Sequence, residues 1–146
     1  MKVLIWYCEK FAIKDIQDSS RMNKIDENEN LIDDNNVIVP WITIETKEDS
    51  NYFEDLLKEL KLVKSIYNTN KVIILPFAHL SSIICKKKVA LNTLNLLKIF
   101  LIEHNFDVNI AHFSSYKDIE FISKADKHQV KFRSYPKPIN FKESYF

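Results

Sequence analysis

The apolar positions of this chain change period several times, and each change marks an element. Residues 2–8 (KVLIWYC) form a short apolar run that predicts a first strand. FAIKDIQ at 11–17 alternates loosely and reads as the second arm of a hairpin with it. From Asp18 to Asn36 the chain is polar and without sustained periodicity, which reads as a solvated loop. VIVPWITIE at 37–45 is a β-branched run, and Pro40 within it suggests an edge strand or a bulge. Residues 49–67 then repeat at helical spacing, with Phe53, Leu56, Leu57, Leu60, Val63 and Tyr67 on one face. Asp49, Ser50 or Asn51 can cap the start of that helix, Glu54 sits three after Asn51 as in a capping box, and Asn68 to Asn70 end it. KVIILPF at 71–77 is continuously apolar, as in a strand buried on both faces. A second helix is expected over 87–104, with Ala90, Leu94, Leu97 and Leu101 inward and Asn105 just past its end. FDVNIAHF (106–113), KDIEFIS (117–123) and QVKFRSY (129–135) read as three further strands, and Pro136 and Pro138 break the remainder into a tail. Strands interrupted by two amphipathic helices predict one α/β domain over 1–135, a mixed sheet with the two helices packed on it, and a tail or linker at 136–146.

Composition narrows the function. With 146 residues and 46% hydrophobic content the chain can bury one substantial core but not two. Its 21 basic and 20 acidic side chains nearly cancel, so net charge demands no nucleic-acid partner, although local patches can still provide one. Cys8 and Cys85 lie far apart, with no CxxC or Cys/His pairing; a structural zinc or a disulfide framework is not expected, and a reducing, cytoplasmic setting is. The apolar run Val3–Cys8 is too short for a membrane span or a signal segment. Glycine is absent altogether. That excludes a P-loop and a GxGxxG fingerprint, and it obliges asparagine and aspartate to take any positive-φ position. Asparagines do gather where turns are wanted, in DDNN (33–36), NTN (68–70) and Asn105.

Two strand ends carry candidate chemistry. PFAHLSS (76–82) places His79 directly after the apolar strand, where a ring either contacts a ligand or fills space at a buried strand end. AHFSSYK (111–117) brings Phe113, Tyr116 and Lys117 to the junction between two later strands. Ligands in open α/β sheets bind beyond strand ends, so the two segments are expected to face one crevice. His112 and His104 are weaker candidates, and Ser81 and Ser82 most simply cap the next element. No GxSxG elbow, HExxH or paired-carboxylate motif is present, and neither a metal nor an organic cofactor is expected.

PFAHLSS between a buried strand and a helix resembles the N-terminal editing domain of archaeal threonyl-tRNA synthetases, which has the D-aminoacyl-tRNA deacylase-like fold. The likeness runs from the opening MKVLIWY through VIVPWITIE and both helices to FDVNIAHFSSYK. Two positions depart from the family pattern. The family has Pro-Phe-Gly-Tyr before its Tyr-Lys, where this chain has His112-Phe113-Ser114-Ser115-Tyr116-Lys117. A family KGHPLAE segment, whose glutamate lies near the pocket, corresponds to KADKHQVK here, where the counterpart of the glutamate is either Lys131 or absent.

The resemblance implies hydrolysis of L-seryl-tRNA(Thr) mischarged by threonyl-tRNA synthetase, with water attacking the ester and the tRNA 2′-hydroxyl assisting. It assigns catalytic roles to Lys117, His79 and Tyr116, and substrate contacts to Phe77, Ala78, Phe113, Ser114 and Ser115. It further implies a tRNA acceptor end as partner, a homodimer, and attachment to a synthetase catalytic core. Lys86, Lys87 and Lys88 are then candidates for a phosphate-facing patch. The alternative is a non-catalytic tRNA- or synthetase-binding module of the same fold. A D-aminoacyl-tRNA deacylase proper is disfavoured, because its Gly-Pro motif cannot exist in a chain without glycine.

Overall fold

The computed structural model describes residues 1–18, 23–24, 31–113 and 115–139. Where a hairpin was expected, one 17-residue strand runs unbroken, β1 (Lys2–Asp18). Glu9-Lys10 has no turn former; both side chains reach across strands instead, Lys10 Nζ to Glu120 at 2.9 Å and Glu9 to Lys124 Nζ at 3.0 Å. A two-residue strand, β2 (Asn23–Lys24), pairs with Gln17 and Asp18. The third strand, β3 (Leu31–Thr43), starts well inside the stretch expected to be loop. It runs antiparallel to β1 from Lys2↔Thr43 to Lys14↔Leu31, and this pairing carries the polar residues 33–36 into the sheet. Asp34 is held there by Lys71 Nζ at 2.6 Å.

From β3 the chain crosses through helix α1 (Phe53–Tyr67) to strand β4 (Lys71–Pro76), and through helix α2 (Lys87–Glu103) to strand β5 (Asp107–Ile110). Both crossovers make parallel pairs, β3 with β4 and β4 with β5. Strand β6 (Ser115–Ile122) and strand β7 (Val130–Ser134) return antiparallel to the other edge of β1. They divide that edge, β7 taking Lys2 to Trp6 and β6 taking Lys10 to Asp18. The α/β architecture expected from the sequence, a mixed sheet with two helices, is therefore present. Pro40 is interior rather than at an edge: it faces Ile5 of β1, while the β4 ladder steps from Ile38 to Trp41 and passes over it.

Two apolar clusters sandwich the sheet. The larger lies under the helices and joins Val3, Ile5, Ile38, Ile42, Val72 and Ile74 to the expected inward residues of α1 and α2. The smaller covers the other face with Cys8, Val37, Val39, Ile73, Leu75 and Ala111. The distal half of β1 brings Phe11 and Ile13 into that second cluster. β4 is thus buried on both faces, as its continuous apolar run requires.

Helix α1 begins differently from the expected capping box. A 3-10 turn, Lys47–Tyr52, precedes it, and the Asp49 carboxylate accepts from the backbone N–H groups of Glu45 (2.7 Å) and Thr46 (3.2 Å). The buried Met1 ammonium donates to the same carboxylate at 2.8 Å, to Glu45 at 3.1 Å and to the carbonyl of Tyr135 at 2.9 Å. Among the described residues, the positive-φ positions are Asn36 (53°), Asn68 (51°) and Asn105 (64°), within the three segments where asparagines cluster.

Asn68 caps α1 in the left-handed region and is exposed, which makes it a clean test of this substitution for glycine. Asn68→Ala should cost about 1 kcal/mol in urea denaturation, whereas Asn68→Gly should be neutral or stabilising. Equal losses for both would show that side-chain contacts, not backbone conformation, select asparagine there.

Candidate active site

The alternation Phe11, Ile13, Asp15 along β1 places a carboxylate on an otherwise apolar face, and Asp15 is only 4% exposed. β6 lies beside it with Ile13↔Ile119 and Asp15↔Lys117 in register; the pairing then shifts by one residue between Asp15 and Gln17. That shift brings Ser115 within reach of Asp15. Ser115 Oγ donates to Asp15 Oδ1 at 2.5 Å, and Lys117 Nζ donates to Ser115 Oγ at 2.6 Å and to the Ser115 carbonyl at 2.9 Å. Lys117 Nζ is also 3.6 Å from Asp15 Oδ1. The Lys117 side chain is only 10% exposed; burial pushes its proton affinity below the ordinary lysine value, and Asp15 opposes that drop. Tyr116, its sequence neighbour, projects to the opposite side of the strand and is 57% exposed.

The other candidate segment follows β4. Phe77 N donates to the Ile42 carbonyl at 2.9 Å, Thr43 Oγ1 donates to the Phe77 carbonyl, and a 3-10 turn over Ala78–Leu80 carries His79. Ala78 and His79 are both exposed. His79 does not fill space at a buried strand end; its ring stacks edge-on against Phe77 at 5.2 Å between centroids. Phe77 meets Trp41 at 5.0 Å, and Trp41 meets Phe121 of β6 at 6.0 Å. Ser81 does not cap α2. It donates to Glu45 Oε1 at 2.6 Å and accepts from the Ile83 N–H at 3.1 Å. Burial works to raise the Glu45 proton affinity, but the bonds from Ser81, the Met1 ammonium and Lys2 outweigh it and hold the carboxyl below the usual range.

A cleft of about 600 Å³ opens between the tip of β3, the first half of α2 and the end of β5, and Asp15, His112 and Phe113 line it. His112 Nδ1 is buried there with no hydrogen-bond partner among the described residues. The expected site residues therefore fall into two sets. Ser115 and Lys117 join Asp15 beside the cleft that Phe113 lines, while Phe77 and His79 join the Trp41 aromatic group; β6 connects them, since Lys117, Ile119 and Phe121 share one face. Ser114 lies outside the described residues. Lys131 is elsewhere: it is buried on the helix-facing side, its Nζ 3.7 Å from Glu59 of α1, beside the Arg133–Glu59 pair at 2.9 Å. Lys86, Lys87 and Lys88 are exposed at the start of α2, with Lys87 Nζ 5.9 Å from the Phe113 ring centroid. Among the described residues no group of three His, Cys, Asp or Glu side chains is placed to hold a metal ion, and no helix is long and apolar enough to cross a membrane.

Residues 1–130 match the family model of the archaea-specific editing domain of threonyl-tRNA synthetase. The chain belongs to this family. Its relatives include the threonine–tRNA ligase of Thermococcus kodakarensis, 30% identical over 112 residues, covering 75% of this chain and 16% of the ligase. The ligase of Methanosphaera stadtmanae is 27% identical over 114 residues, 76% of this chain and 17% of that protein. The chain thus spans about a sixth of the length of the ligases it matches. Among solved structures, the c-Myc DNA Unwinding Element Binding Protein superposes with a TM-score of 0.67 over 93% of this chain and 99% of that one, at 9% identity. That likeness shows a shared fold, the D-aminoacyl-tRNA deacylase-like architecture expected from the sequence.

Within this editing-domain chain, sequence reading missed Asp15, although the period-2 pattern Phe11-Ile13-Asp15 was a usable signal. Lys117→Met would leave that carboxylate buried with Ser115 as its recorded partner. Thermal or urea melts should show a loss of about 3 kcal/mol, much of it recovered in Lys117→Met combined with Asp15→Asn. The pH dependence has a definite sign. The folded state holds the Lys117 proton less tightly than the unfolded chain, so unfolding takes up protons as pH approaches 10.5 from below. Stability of the unmodified chain relative to Lys117→Met should therefore rise with pH in that window; a flat difference would mean that Lys117 is solvated.

Proposed function

We propose that residues 1–135 form a deacylase that hydrolyses L-serine from tRNA(Thr) mischarged by threonyl-tRNA synthetase, with 136–146 as a linker. The observation that carries this reading is the Lys117 ammonium, fixed beside a cleft in a chain of the editing-domain family. Serine lacks one methyl of threonine, and a missing methyl is worth only about 1–3 kcal/mol of discrimination at a synthetic site, so a second, hydrolytic site is needed. Ester hydrolysis requires a positioned water, stabilisation of the developing oxyanion and a path for the proton. Lys117 supplies the positive charge for the oxyanion and a donor to orient the water. The terminal ribose 2′-hydroxyl of the tRNA assists the attack, which agrees with the absence of a nucleophile motif in the sequence. Phe77, Ala78 and Phe113 border the adenosine, with Ser114 and Ser115 as further substrate contacts, while the exposed His79 and Tyr116 meet the substrate from outside. No cofactor is required, and the setting is cytoplasmic.

Single-turnover assays with L-seryl-, L-threonyl- and D-aminoacyl-tRNA test the reading. The seryl ester should be hydrolysed and the threonyl ester spared, and Lys117→Met, assayed below its melting temperature, should lose on the order of a hundredfold in rate. An unmodified chain that binds tRNA without hydrolysing any of the three would favour the non-catalytic tRNA- or synthetase-binding module. The burial of Lys131 against Glu59, away from the cleft, supports that alternative, since it leaves the family glutamate without a counterpart.

Two partner surfaces go with the proposal. Replacing Lys86, Lys87 and Lys88 together with alanine should weaken tRNA binding and flatten its salt dependence; unchanged binding would remove the phosphate patch. Beside the β5 edge of the sheet, α2 exposes Leu96 (54%), Ile99 (54%) and Ile102 (49%), which supports pairing with a second copy. Light scattering at micromolar protein should give the mass of a dimer, and a monomer mass would refute the pairing.

A further inference from the structure

The site contains a buried carboxylate to which the proposed reaction gives no role. Asp15 is 4% exposed, lines the cleft from β1, and meets Ser115 and Lys117 of β6 behind that lining. We infer that Asp15 is a positioning residue that keeps the Lys117 ammonium charged and fixed in place beside the cleft, with Ser115 as the bridge between them. The inference rests on the deacylase reading for its consequence in catalysis, but the Asp15–Lys117 relation stands on geometry alone.

Three observations carry it. First, Lys117 Nζ donates to Ser115 Oγ at 2.6 Å and to the Ser115 carbonyl at 2.9 Å, and lies 3.6 Å from Asp15 Oδ1. Second, Ser115 has one hydroxyl proton, and at 2.5 Å it is committed to Asp15, so its oxygen is left to accept from Lys117. The order of donation, lysine to serine to aspartate, is thereby fixed. Third, the other groups around the cleft supply no equivalent anion. Of the β3 carboxylates, Asp34 is paired with Lys71 at 2.6 Å, and Asp33 stands opposite Ala12 in the sheet register, three residues from Asp15 along β1. α2 contributes Leu91 and Asn95, which are uncharged, and the end of β5 contributes His112, whose carbonyl faces Ser115 Oγ at 3.4 Å. Burial disfavours the charged form of Lys117, and Asp15 is the group that acts against it.

Removing the carboxylate should leave a lysine that loses its proton more readily and wanders in direction. The test is an NMR titration of lysine side chains labelled with ¹³C at Cε in the full chain, with the Lys117 signal assigned by its loss in Lys117→Arg. In Asp15→Asn the Lys117 signal should titrate at lower pH than in the unmodified chain. Asp15→Ser provides the same comparison if the asparagine variant folds poorly, and Asp15→Glu, which keeps the charge, should titrate closer to the unmodified chain. In seryl-tRNA hydrolysis the alkaline limb of the rate profile should move to lower pH in the same variants, with the rate at neutral pH down roughly tenfold to a hundredfold. An unshifted Lys117 titration in both neutral variants overturns the inference. A shifted titration in a chain that hydrolyses no seryl ester supports the Asp15–Lys117 relation and refutes the deacylase reading instead.

Discussion

Four of the other described strands, β2, β3, β6 and β7, take their register directly from β1. Along one edge it holds β3 for most of its length, and along the other it holds β7 and then β6, so these three long antiparallel partners, besides the two-residue β2, take their alignment from one continuous strand. A side-chain period of two makes such alignment all-or-none, because a slip of one residue turns an apolar face outward. The penalty would be paid on both faces here. Val3 and Ile5 face the helices, whereas Cys8, Phe11 and Ile13 belong to the opposite cluster. The thiol of Cys8 is buried deeply enough that its proton affinity is pushed up to about 12, which makes it a packing group rather than a reactive one.

Absence of glycine is the second constraint. Each described left-handed position is an asparagine, and Asn36 also makes contacts of its own. Asn36 accepts from Tyr7 Oη at 2.8 Å through its side chain and from Thr69 Oγ1 at 2.5 Å through its carbonyl, which ties β3 to β1 and to the start of β4. Asn68 and Asn105 follow the two helices and release the chain into β4 and β5. A glycine would serve the backbone at these places but could not provide the Asn36 side-chain contact.

Local periodicity made the helices legible. The inward sets Leu56, Leu57, Leu60, Val63 and Ala90, Leu94, Leu97, Leu101 are buried as read, and β4 is buried on both faces. The long β1 was not legible, since a strand's length is decided by partners distant in sequence, and β6 lies about a hundred residues from the segment of β1 that it extends. The polar start of β3 was hidden for the same reason: Asp33 to Asn36 look like loop until the opposite strand and Lys71 are in place. At the site, motif reading selected His79, Tyr116 and Lys117 by residue type, and only tertiary packing separates them into an exposed ring, an exposed phenol and a covered ammonium. Lys131 shows the limit of residue-by-residue transfer, because strand alternation turned it toward Glu59 and the helices.

The two halves of the candidate site are held from opposite ends of β1. At its start, the Met1 ammonium donates to Glu45 Oε2 while Lys2 and Ser81 meet Oε1, and the Ser81 bond anchors the turn that carries His79. Near its end, Asp15 gathers Ser115 and Lys117. Each anchor is a largely covered carboxylate receiving a hydroxyl and at least one cation, an arrangement that is costly to form and loses much of its value if either end shifts. Rigid β-pairing between the two anchors sets their separation, since a strand changes length only by breaking ladder bonds. A substrate that touched both the His79 turn and the Lys117 ammonium would therefore meet a span fixed in advance by β1.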